Sequence, residues 1–88
     1  MRPLNDLFEE CFALGLTTSQ RDFGRRLWNR SENWFSSTVS RERRLSTESL
    51  LRFYFSLASM RLNGPDHADA LDRLRSEIWQ EIASRVRA

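Results

Sequence analysis

Apolar residues recur every three or four positions along almost the whole chain, and no stretch makes a convincing half-buried strand. That pattern restricts the chain to helices, and its interruptions divide it into five. The first helix is expected from about Leu4 to Leu14, with Leu4, Leu7, Phe8, Cys11 and Phe12 on one face and Gly15 as its terminator. Ser19 offers a hydroxyl cap for a short second helix through Phe23 and Leu27 to Trp28, and Asn29 suits a left-handed exit. Ser31 is expected to cap a third helix, with Phe35 and Val39 buried. Ser46 caps a fourth, Thr47 to about Leu62, whose wide stripe of Leu50, Leu51, Tyr54, Phe55, Leu57, Ala58 and Leu62 places it near the centre of the core. Asn63-Gly64-Pro65 breaks the pattern. Asp66 then caps a long last helix, about 66–86, with Leu71, Leu74, Ile78, Ile82 and Val86 along one side.

Eighty-eight residues are expected to form a single all-α domain, 1–88. One cysteine, Cys11, has no partner for a disulfide, and with the lone His67 it cannot build a zinc cluster, so stability has to come from packing. No apolar run approaches the ~20 residues of a membrane span. Met1-Arg2-Pro3 is followed by Asn5, Asp6, Glu9 and Glu10 with no apolar signal region, which points to the cytoplasm. Catalysis lacks parts. Gly15, Gly24 and Gly64 are isolated, His67 reads as a solvated residue between Asp66 and Asp69, Cys11 falls on an apolar face, and Glu9 and Glu10 diverge on their helix. No enzyme activity, cofactor or metal is expected.

Charge is unevenly distributed. Residues 19–45 carry Arg21, Arg25, Arg26, Arg30, Arg41, Arg43 and Arg44 against Asp22, Glu32 and Glu42, whereas residues 1–18 are net acidic and the whole chain is only +2. All fourteen basic residues are arginine, the side chain better shaped to grip phosphates and carboxylates.

Within this basic segment, a short helix, a tight turn and a second short helix between Ser19 and Ser40 have the form of a helix-turn-helix unit, whose second helix can enter a major groove. Outward on that helix stand Glu32, Asn33, Ser36 and Ser37, with Trp34 a further candidate. Asn33, Ser36 and Ser37 are candidate base readers, and Arg30, Arg41, Arg43 and Arg44 flank them where phosphates would lie.

The stretch Thr18-Ser19-Gln20-Arg21-Asp22-Phe23, then Asn29-Arg30-Ser31-Glu32-Asn33-Trp34-Phe35-Ser36, then Arg43-Arg44-Leu45-Ser46-Thr47-Glu48-Ser49-Leu50-Leu51, resembles the lambda-repressor-like helix-turn-helix family. The resemblance covers roughly residues 16–58. Gly24 stands where the family favours alanine, and Leu45 where it favours proline. The resemblance implies a five-helix domain and a small bacterial transcription regulator that binds double-stranded operator DNA through its third helix. It also makes the last helix the natural homodimer element.

A different use of the same fold is open. Small helical proteins of this appearance resemble antiactivators of bacterial integrative and conjugative elements, which bind and block a transcriptional activator in quorum-sensing or conjugative-transfer control. Aromatic and arginine side chains anchor such interfaces. The candidates are Trp34, with Arg30 and Arg41 around it, Phe53 and Trp79, joined by Met60 as another side chain expected to be incompletely buried.

Overall fold

A computed structural model describes residues 1–41, 44–64 and 66–87. The described residues are all-helical, with helices α1 (Leu4–Ala13), α2 (Gln20–Asp22, continued by a turn of π-helix over Phe23–Leu27), α3 (Trp34–Ser40), α4 (Thr47–Asn63) and α5 (Ala68–Arg87). They fall into two compact units, Arg2–Leu45 and Ser46–Ala88, with Met1 belonging to the second.

In the first unit, α1 starts at Pro3, whose carbonyl accepts from the amides of Asp6 and Leu7. Proline suits this position because it has no amide of its own to satisfy. The helix ends as its glycine predicts. Gly15 is left-handed at φ 77°, the Gly15 amide donates to the Phe12 carbonyl, and the Leu16 amide donates to the Cys11 carbonyl at 2.9 Å. This pair of bonds satisfies carbonyls that the last turn would otherwise leave open. At α2 the Ser19 hydroxyl accepts from the Asp22 amide at 3.1 Å, the expected cap. After the π turn, Asn29 takes φ 52° and the Arg30 amide closes back on the Gly24 carbonyl at 2.9 Å.

Four buried aromatic rings and the half-buried Trp34 pack together in this unit. Phe8 lies 5.5 Å from Phe23 and 5.4 Å from Phe35, Phe23 and Phe35 are 5.8 Å apart, and Trp28 meets Phe23 at 6.1 Å. Trp34 leans on Trp28 at 5.2 Å. All five pairs are edge-on or tilted rather than stacked face to face, in keeping with the ring quadrupole.

The third helix differs from expectation at its start and on its buried side. The carbonyl of Ser31, not its hydroxyl, receives the Trp34 amide, and Asn33 precedes the helix without a side-chain cap. Phe35 and Thr38 are buried while Val39 is 40% exposed, so the inward stripe runs at i, i+3. Phe12, expected on the apolar face of α1, is exposed.

In the second unit, the Ser46 hydroxyl caps α4 by accepting from the Ser49 amide at 3.1 Å. Contacts of Thr47 with Arg85, Tyr54 with Trp79 and Arg61 with Asp72 fix α4 and α5 as antiparallel neighbours. The buried side of α4 is Ser49, Leu50, Phe53 and Leu57. This corrects two expectations. Phe53 is fully buried, and the predicted wide stripe is split, with Phe55 64% and Leu62 87% exposed. On α5, Leu71, Leu74, Ile78 and Ile82 are buried as expected, but Val86 is exposed. The helix begins at Ala68, not at Asp66, because His67 turns the chain with φ 60° and its carbonyl receives the Leu71 amide.

Candidate nucleic-acid interface

The outward face of α3 follows from what its inward face must do. With Phe35 and Thr38 committed to the interior, a period of 3.6 residues leaves Asn33, Ser36 and Ser40 exposed and Ser37 half-buried at the margin. The Ser36 hydroxyl donates to the Asn33 carbonyl at 3.3 Å, and that of Ser40 donates to the Ser37 carbonyl at 3.5 Å. Each hydroxyl oxygen keeps acceptor capacity facing outward, and the Asn33 amide supplies both donor and acceptor.

Arg30 precedes this helix, half-buried, while Arg41 and Arg44 follow it, both exposed. The structure therefore gathers Asn33, Ser36 and Ser37 on or beside one face with arginines at either end. Arg43, grouped with them in the sequence, lies outside the described residues. Seven residues of helix rise about 10 Å, close to the ~12 Å width of a major groove.

Trp34 is not part of that outward face. Its indole is half-buried against Trp28, and a Cβ at Gly24 would lie 3.4 Å from its ring carbon Cε3.

Sequence reading passed over a second basic surface in the same unit. An open depression of about 490 Å³ is lined by Ser19, Arg21, Asp22, Arg25, Arg26 and Glu32. Arg21 and Arg25 are exposed one helical turn apart, a spacing that was available in the sequence. Arg26 is committed locally, with Nε 2.8 Å from the Asp22 carboxylate and a terminal nitrogen donating to the Leu16 carbonyl at 2.9 Å. Desolvation pushes the Asp22 carboxyl up, but hydrogen bonds from the Thr17 hydroxyl and the Thr18 amide, together with Arg26, outweigh it and hold the group below the usual carboxylate range.

The remaining candidates lie elsewhere. Phe53 is fully buried, and Trp79 is exposed on α5 beside Tyr54, with ring centroids 5.6 Å apart. Burial pushes the Cys11 thiol up to about 12, with Glu10 adding to the effect, so it stays protonated and unreactive. Among the described residues no group of three or more His, Cys, Asp or Glu side chains could hold a metal ion, and no helix is long and apolar enough to cross a membrane. No model of a known protein family matches the chain, nor does any curated protein sequence or solved structure.

Proposed function

We propose that this chain is a small transcription-regulatory protein of lambda-repressor-like helix-turn-helix type that binds double-stranded DNA with α3. One observation carries the reading. The exposed side of α3 offers small polar groups, Asn33 and Ser36, bordered by the partly exposed Val39, and arginines stand at both ends of the helix. Side chains of that size and chemistry suit base edges, and guanidinium groups suit phosphates on either side of a groove.

The test is titration of the protein with duplex promoter DNA from its own locus at two salt concentrations, followed by fluorescence anisotropy. Sequence-selective binding that weakens steeply with salt is expected, because each neutralised phosphate releases condensed counterions. Replacing Arg44 with alanine lowers affinity for all sequences and reduces the salt slope by about one.

A second reading, an antiactivator that binds a transcriptional activator, is supported by Trp34, which is only half-buried and so keeps part of its surface accessible. A saturable complex with an activator, unaffected by DNA and accompanied by no DNA binding, would select it.

A further inference from the structure

Where α4 and α5 meet in the second unit, an open recess lies that neither reading uses. It encloses about 260 Å³ and is lined by Tyr54, Asp72, Arg75, Ser76 and Trp79. The four residues from α5 fall at i, i+3, i+4 and i+7, which sets them along one side of that helix. Tyr54 and Trp79 supply the apolar wall, with ring centroids 5.6 Å apart and planes at 44° to each other, and Trp79 is 52% exposed.

The polar side of the recess is short of acceptors. The Arg75 guanidinium lies over the Tyr54 ring at 5.3 Å. It donates to the Asp72 carboxylate at 3.3 Å and to the Tyr54 hydroxyl at 3.4 Å, both longer than the about 2.7–2.9 Å of a strong charge-assisted bond. Its Nε is shut off from solvent without an acceptor. Asp72 is shared besides, since Nε of Arg61 stands 3.5 Å from the same carboxylate oxygen and also lacks a hydrogen bond. Two guanidinium groups thus compete for one carboxylate. The Tyr54 hydroxyl accepts from Arg75 and so has its own proton to give.

We propose that this recess binds a small planar aromatic carboxylate, its ring against Trp79 and Tyr54 and its carboxylate on Arg75. Such a group offers the guanidinium the two short parallel bonds that the shared Asp72 does not, and it takes the Tyr54 proton as well. A third ring gains offset or edge-on contact with the two already there. A cationic ligand is disfavoured twice over, because Arg75 already covers the Tyr54 ring and because guanidinium charge exceeds carboxylate charge at the site. The volume sets the size. It falls below the ~300–1,000 Å³ of pockets for drug-sized ligands, which leaves room for one ring and its substituent.

This inference is independent of DNA, and so is its test, NMR of the isotope-labelled full chain titrated with benzoate in the absence of nucleic acid. Saturable shifts at Tyr54, Ser76 and Trp79 are expected, with a Kd of about 1 mM or tighter. Benzamide keeps the ring without the charge, and acetate keeps the charge without the ring; each binds on the order of 10-fold more weakly. Arg75→Gln weakens benzoate binding on the order of 10-fold and Trp79→Ala about fivefold, whereas Asp72→Asn tightens it about threefold by removing both a competitor for Arg75 and a like charge. Opposite signs at Arg75 and Asp72 separate a ligand site from a merely structural ion pair, in which loss of either partner acts alike. Helix content by circular dichroism stays constant in all three variants, because none of these side chains is buried. No saturable shift up to about 10 mM benzoate, benzamide or acetate binding as tightly as benzoate, or weaker binding in Asp72→Asn overturns the proposal.

Discussion

The two units divide their aromatic residues in different proportions. In the first, Phe8, Phe23, Phe35 and Trp28 are buried and Phe12 alone of its phenylalanines is exposed; in the second, Phe53 is buried while Phe55 and Trp79 stand exposed. An aromatic ring surrounded by other rings is scaffold, and one left at the surface is available for contact.

Making the same truncation in both units breaks or sustains that comparison most strongly. Phe23→Ala is expected to cost about 3–5 kcal/mol, the usual penalty for emptying a packed aromatic site. Phe55→Ala is expected to stay within about 0.5 kcal/mol, as exposed substitutions do. Urea denaturation reads both. Similar penalties at the two positions would remove the distinction.

A smaller effect sharpens the account of the first unit. Gly24→Leu forces a branched side chain toward the Trp34 ring, which a bare Cβ already approaches to 3.4 Å. Overpacking of this kind costs about 1–3 kcal/mol. The indole N–H resonance of Trp34 should move with it. An unchanged resonance would mean that Trp34 does not rest on this glycine.

The smallest expected effect concerns pH. The carboxyl of Asp22 is depressed in the folded chain, so the unfolded chain takes up its proton first as pH falls. Its contribution to stability is then complete above the ordinary aspartate value, about 3.9, and disappears as pH falls through the lower folded value. Asp22→Asn should flatten this part of the acid limb in a pH series of thermal unfolding, while leaving the neutral-pH curve nearly parallel to that of the starting protein. An acid limb of unchanged slope would place the sensitivity elsewhere; Glu81, held low mainly by the hydrogen bond from Arg85, is the next such group.

Much of this architecture was legible in the sequence because it is determined locally. Gly15, Ser19, Asn29 and Ser46 do what their covalent structure favours, a left-handed turn or a hydroxyl cap, whatever surrounds them. Burial is decided by tertiary partners, and there the sequence was ambiguous. Helix α4 carries two apolar stripes, Leu50-Phe53-Leu57 and Leu51-Phe55-Ala58-Leu62, and periodicity does not say which faces inward. The structure buries the first, Phe53 included, and leaves Phe55 and Leu62 of the second exposed. Helix α3 shows the same ambiguity, since Thr38 and Val39 compete for one inward position and Thr38 takes it. The polar site residues were legible because Asn33 and Ser36 follow from the placement of Phe35. The aromatic surface was half legible, with Trp79 recognised and Tyr54 and Phe55 assigned to the interior.

The central claim is that α3 presents a DNA-reading face. Backbone amide NMR of the labelled protein, recorded while unlabelled duplex promoter DNA is added, tests it residue by residue. The account predicts shifts concentrated at Arg30, Asn33, Ser36, Ser37 and Arg41, abolished by high salt, with the amides of Tyr54, Phe55 and Trp79 unmoved. Shifts confined to those three aromatic residues, or a spectrum unchanged by saturating DNA, would contradict it.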